Sequence, residues 1–158
     1  MKKGAAGAPV VKKVKQAVNR KARYDIAVEQ TYEAGIILTG DEIKSIRAGR
    51  MQLAGGYVRL LGKGRNQIPQ VALVGLHLSL AAEPERTRYL LLHAKEVLEL
   101  QELMETKRWT AVPLDVHLKR GWAKVLIGVG QGRKQHDKRQ LLRERDITRE
   151  SAAALKRY

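Results

Sequence analysis

The 158-residue chain contains no cysteine, which excludes disulfide staples, thiolate metal centres, iron–sulfur clusters and a cysteine nucleophile together. It has no phenylalanine either, and aromatic residues make up only 4%, so a core must be assembled mainly from Leu, Val, Ile and Ala. No apolar run reaches the ~18–20 residues that cross a bilayer. The short apolar stretch at residues 5–11 is followed at once by Lys12 and Lys13, which does not fit a secretory leader. These absences lead us to expect a cytoplasmic protein that folds without covalent or metal help. With 44% hydrophobic and 30% charged residues, a chain of this length can bury a core of its own and reads as one domain.

Positive charge is what the chain has in excess. The net charge is +15, unevenly spread: residues 1–23 carry eight Lys and Arg and no acid, residues 24–130 carry fourteen basic and twelve acidic residues, and residues 131–158 carry nine and four. A nearly neutral body between two basic ends suits a polyanion partner, because uncompensated charge of one sign opposes compaction until something neutralises it. One such run alone would read as a solubility tail; two at opposite ends weaken that reading. A membrane-surface helix needs a bulky apolar face, and residues 1–18 supply only Val and Ala. Nucleic acid is the expected partner, with no membrane.

Residues 1–18 show no sustained period and are expected to form a flexible basic leader. From Tyr24 the apolar positions Tyr24, Ile26, Val28 and Tyr32 alternate with polar ones, which predicts a strand interrupted at Gly35. Residues 41–47, with acids first and Ile43 and Ile46 three apart, predict a short helix closed at Gly49. Tyr57 to Leu61 and Val71 to Val74 read as strands around a Gly-rich turn. Residues 94–107 set Val97, Leu100, Leu103 and Met104 against Glu96, Glu99, Glu102 and Glu105, the pattern of an amphipathic helix. Residues 110–130 alternate on both sides of Arg120-Gly121 and predict a hairpin, with Pro113 at an edge or bulge.

These elements indicate a mainly β protein with helices: a small antiparallel OB-like barrel with one packed helix, over residues 19–130. Residues 131–158 form a basic tail. Its few apolar residues cannot offset the cost of ordering, so it is expected to be disordered when free.

Catalytic chemistry finds little support. His77, His93, His117 and His136 have no metal-ligand spacing, which leaves a metal or cofactor without a site. His117 and His93 read as structural or solvated residues. The run from Gly128 to Lys134 lacks the Gly-Lys-Ser/Thr of a phosphate loop and reads as a flexible hinge. Asn19-Arg20-Lys21-Ala22-Arg23 abuts the first strand and can fork onto phosphates, with Tyr24 offering an aromatic plane. A generic RNA-binding or ribosomal protein with basic extensions fits charge and fold equally well.

Five segments go further: Asn19-Arg20-Lys21-Ala22-Arg23, Tyr32-Glu33-Ala34-Gly35-Ile36, Glu42-Ile43-Lys44-Ser45-Ile46-Arg47-Ala48-Gly49, Arg88-Tyr89-Leu90-Leu91-Leu92-His93, and Gly132-Arg133-Lys134-Gln135-His136-Asp137-Lys138-Arg139. In this order they closely resemble the bacterial tmRNA-binding SmpB family, over about residues 19–145. The resemblance implies a monomeric ribosome-rescue factor of trans-translation and no enzyme. A barrel would grip the tRNA-like domain of transfer-messenger RNA, and the tail would enter the decoding centre and mRNA channel of a stalled 70S ribosome, against small-subunit rRNA, becoming helical there. It implies RNA-binding roles for Asn19, Arg20, Arg23, Glu33, Lys44 and Arg47, with Leu91 as a surface contact or support; Tyr24, where the family usually has His, joins the RNA-binding set as the aromatic plane beside Arg23. Gly132, Arg133, Lys134, His136, Asp137, Lys138 and Arg139 would engage the ribosome.

Overall fold

The computed structural model describes residues 14–63 and 65–156. Nine strands and four helices follow in the order β1 (Val14–Val18), α1 (Arg20–Asp25), β2 (Ile26–Ile36), α2 (Gly40–Arg47), β3 (Met51–Gln52), β4 (Tyr57–Lys63), β5 (Pro69–Val74), β6 (His77–Leu78), β7 (Arg88–Leu91), α3 (Ala94–Glu105), β8 (Thr110–Lys119), β9 (Trp122–Gly132) and α4 (Gln135–Leu155). Seven strands form an antiparallel sheet in the order β1-β8-β9-β2-β7-β5-β4, and β3 pairs with β6. At one end of that order, β4 comes back against β8.

The hairpin that sequence alternation predicts is β8–β9, paired from Thr110↔Gly130 to Lys119↔Trp122. Its two-residue turn puts Arg120 at φ 52 and Gly121 at φ 80, the left-handed pair whose twist matches that of the strands. The register slips between Pro113 and Asp115, so the residue without an amide proton sits at a bulge, as expected. β8 is internal, with β1 on its other side.

That pairing corrects one boundary. Residues 14–18 are not leader but strand β1, held through Val14↔Leu118 to Val18↔Asp115; the rest of the predicted leader lies outside the described residues. Two more readings change. Tyr24 belongs to α1 rather than a strand, and Gly35 does not interrupt β2, which stays paired to β9 through Gly35↔Lys124.

The Gly128-Val129-Gly130 run is likewise no hinge, because it lies inside β9. A Cβ on Gly128 would stand 2.7 Å from Leu114 Cδ1, and one on Gly130 would run into the Ala27 carbonyl. Glycine is required here by close approach, not by mobility.

The main core gathers Tyr32, Ile46, Leu73, Leu76, Val116 and Ile127 with Val97, Leu100 and Leu103 of α3. A second cluster, Ala22, Ile26, Val112 and Leu114, joins α1 to the hairpin. Helix α4 contributes no buried residue.

Candidate nucleic-acid interface

Asn19 starts α1, and its polar atoms are turned inward. Its amide donates to the Leu114 carbonyl at 2.7 Å, Nδ2 donates to the carbonyls of Leu53 at 3.2 Å and Pro113 at 3.1 Å, and Oδ1 accepts from the Ala22 amide at 3.0 Å. At 3% exposure it caps the helix and ties it to β8. Its burial gives Asn19 a supporting place in the fold. What it supports is exposed, since Arg20, Lys21 and Arg23 all face solvent around buried Ala22.

From Arg23 a line of polar contacts crosses the sheet. A terminal guanidinium nitrogen of Arg23 lies 3.9 Å from Asp115 Oδ2, and Asp115 Oδ1 lies 2.9 Å from His117 Nδ1. His117 Nε2 approaches Glu33 Oε2 to 3.3 Å without hydrogen-bond geometry, and Glu33 Oε1 accepts from Lys119 Nζ at 2.9 Å. Asp115 and His117 are buried in the middle, and the cations at the two ends are about two-fifths exposed. A partly screened carboxylate on each cation limits its rotamers while leaving N–H groups free to meet phosphate oxygens. His117 is thus structural rather than solvated. Glu33 steadies Lys119 in this arrangement. Sequence reasoning passed over Asp115 and Lys119, although their spacing with His117 along β8 is the signal that finds them.

Lys44 and Arg47 are exposed on α2, and Lys44 Nζ lies 3.4 Å from Asp41. The helix is fixed from below by Glu42. The carboxylate of Glu42 accepts from the Thr39 amide at 2.8 Å, from Arg86 Nε at 3.0 Å and a terminal Arg86 nitrogen at 2.7 Å, and from Arg88 Nε at 3.0 Å. Burial alone would raise its pKa, but hydrogen bonds from Arg86 and Thr39 and the charges of Arg88 and Arg86 outweigh burial and lower it to about 2. Arg88 is fully buried and also donates to the carbonyls of Leu76, Arg86, Glu83 and Pro84, which is why a guanidinium is tolerated there. Ser45 Oγ accepts from the Leu80 amide at 2.9 Å.

Leu91 is 61% exposed, at the end of β7 and opposite Gly35 of β2. With Ile37, Ile43, Trp122 and Lys124 it lines a shallow groove. Exposed apolar and aromatic surface beside cations is the composition on which unstacked bases settle.

The tail begins as part of the sheet, because Gln131 and Gly132 still pair with Ala27 and Ile26. The Arg133 amide donates to the Asp25 carbonyl at 2.7 Å. Asp137 accepts from the Lys134 amide at 3.3 Å and opens α4. Lys138 Nζ donates to Asp25 Oδ1 at 2.8 Å and stands 5.5 Å from the centre of the Tyr24 ring. Tyr24 is half-buried. His136 is 88% exposed, and Arg139 is also exposed.

Among the described residues, no cluster of His, Cys, Asp and Glu could hold a metal ion, and no helix is long and apolar enough to cross a membrane. The profile of the SmpB protein family matches residues 16–157, from β1 through α4. The chain belongs to the SmpB protein family. The SsrA-binding protein of Ligilactobacillus salivarius (strain UCC118) is 45% identical over 149 residues, covering 90% of this chain and 92% of its own length. The SsrA-binding protein of Nostoc sp. (strain PCC 7120) is 45% identical over 148 residues, covering 89% and 92%. Among solved structures, a chain described under "tmRNA-SmpB: a journey to the center of the bacterial ribosome" matches with a TM-score of 0.61 and 35% identity, over 80% of this chain and 94% of that one. The SmpB match therefore includes both the line of contacts on β2 and β8 and the basic helix α4.

Proposed function

We propose that this protein binds transfer-messenger RNA and rescues stalled ribosomes by trans-translation, as an adaptor in the cytoplasm and not as a catalyst. The observation that carries this reading is the continuity of the SmpB family match across both the sheet and the basic helix. An RNA grip without the tail would suit many RNA-binding proteins. The sheet, with β4 returning against β8, is read as an OB-like barrel that grips the tRNA-like domain as a monomer.

Arg20 and Arg23 of α1 and Lys119 of β8 would meet phosphates. Lys44 and Arg47 on α2 extend the same positive surface, and Leu91 offers a platform for an unstacked base. Glu33 keeps Lys119 in place, and Asn19 keeps α1 in place. Charge–phosphate attraction supplies most of the affinity, and the fixed spacing of the cations selects a folded RNA.

The tail, with Arg133, Lys134, His136 and Arg139 after Gly132, would enter the decoding centre and mRNA channel. Beyond its first turns α4 has nothing to pack on, and an isolated helix of this size is marginal in water. Free protein would leave most of the tail disordered, and the rRNA walls would order it.

Affinity purification from a bacterial lysate tests the reading. The protein should retain one abundant tRNA-like RNA and join only a subset of ribosomes. Stoichiometric recovery with every ribosome, without that RNA, would instead indicate a ribosomal component.

A further inference from the structure

The start of α4 differs from the rest of the helix. Arg133, Lys138 and Leu141 are half-buried, whereas every residue from Leu142 to Lys156 is exposed. The half-buried positions face the junction of α1 and β2, where Ala27, Arg133, Asp137, Gln140 and Leu141 line a small crevice. Three different contacts meet there: the Arg133 amide on the Asp25 carbonyl, the Lys138 ammonium on the Asp25 carboxylate, and the same ammonium beside the Tyr24 ring.

We infer that Lys138 is a positioning residue that clamps the base of the tail to α1 through Asp25 and Tyr24, rather than a residue that contacts the ribosome. The inference rests on the reading of α1 as an RNA-holding element, because that is what makes the clamp useful. A single exposed ion pair contributes little. Here the pair is only 27% and 35% exposed, it is backed by an aromatic face, and a main-chain hydrogen bond five residues earlier fixes the approach. The lysine therefore has one favoured place, half-buried against α1.

Leverage gives the clamp its importance. The 21 residues of α4 extend about 30 Å at 1.5 Å per residue. A swing of about 20° at the base displaces the far end by about 10 Å, more than the width of a side chain. RNA seated on α1 and a tail clamped to α1 share one frame, so placing the RNA also aims the tail. Phosphate neutralising Arg20 and Arg23 does not compete for Asp25, so the clamp survives RNA binding.

Charge exchange in the full-length protein tests this. Because the chain has no cysteine, spin labels on Glu102→Cys in α3 and Leu142→Cys, at the end of the docked first turns of α4, report one distance between the two helices. The labelled parent should give a narrow distribution. Asp25→Lys and Lys138→Asp should each broaden it and lower tagging of stalled peptides by about fivefold, at saturating RNA. The double exchange, Asp25→Lys with Lys138→Asp, should restore both. Two results would overturn the inference: a distribution that neither single variant changes, or a double variant that regains the narrow distribution but not tagging, which would place Lys138 on the ribosome. If instead Arg20→Ala and Arg23→Ala leave RNA affinity unchanged, the RNA-holding role of α1 fails, while the distance measurement still decides whether the clamp exists.

Discussion

His117 Nδ1 stands 2.9 Å from Asp115 Oδ1, and both side chains are 2% exposed. Two residues apart on β8, they share one face of the strand, with Glu33 of β2 next to the imidazole and Arg23 of α1 next to the carboxylate. Replacing His117 with Ala removes the ring that separates the two acids and leaves buried polar surface poorly matched. We expect a loss of about 2 kcal/mol in denaturant unfolding, the usual cost of removing one partner from a buried polar contact. RNA binding should weaken as well, since the supports of Arg23 and Lys119 are disturbed. Unchanged RNA affinity would reduce the network to a purely structural role.

Glu33 gives a test of sign. A carboxylate near RNA repels phosphate, so if it were an ordinary surface acid its removal would tighten binding. Because Glu33 holds Lys119 at 2.9 Å, Glu33→Ala should weaken binding, by about tenfold if one charge-assisted contact is lost. The direction of the change in Kd, measured by titration with the tRNA-like domain, separates the two.

The cations should also show themselves through salt. If about six phosphates are met, affinity falls on the order of a thousandfold between ~50 and ~200 mM monovalent salt. A flat response in filter binding would remove the electrostatic basis of the proposed grip.

Glu42 predicts an acid limb of stability. Its carboxyl is held at about 2 against an ordinary value of 4.5, so between those limits the folded form holds fewer protons than the unfolded chain. The stability Glu42 contributes is complete above pH 4.5 and is lost as pH falls through that window. Glu42→Gln should flatten this part of the pH profile. At neutral pH it should cost about 3 kcal/mol, because Arg88 is left buried without its counter-charge. Thermal unfolding across pH checks both statements.

Residues 131 and 132 are paired in β9, so a clean removal of the tail must come after them. Truncation after Lys134 should retain RNA binding by the sheet while abolishing tagging of stalled peptides. His136→Ala should lower tagging and leave affinity for free RNA unchanged, consistent with an imidazole that is almost wholly exposed. Loss of RNA binding in the truncated protein would show that the two parts do not act separately at that step.

What could be read in advance followed strong periodicity. The apolar face of α3 and the alternation of β8 and β9 are dictated by burial, and the left-handed pair Arg120-Gly121 marks their turn. Elements fixed by long-range partners were not legible. β1 has little pattern of its own and exists because β8 presents an edge. α1 is only six residues long and depends on buried Asn19, whose partners Leu53 and Pro113 lie 34 and 94 positions away. Motif resemblance marked Arg20, Arg23 and Glu33 as a set, but the spine that joins two of them passes through Asp115 and His117. Their spacing puts them on one face of β8, but nothing local reveals that Arg23 of α1 and Glu33 of β2 meet that face.

Gly130 has a consequence for how such a chain can vary. With hydrogen in place of a side chain, β9 lies directly on the Ala27 carbonyl, two residues from Asp25. A methyl group there would drive the start of β2 outward and carry Asp25 and Tyr24 with it. The position therefore acts as a shim of zero thickness between the part proposed to grip RNA and the part proposed to engage the ribosome. Mutational drift at Gly130 would be felt as misalignment of two machines rather than as loss of either.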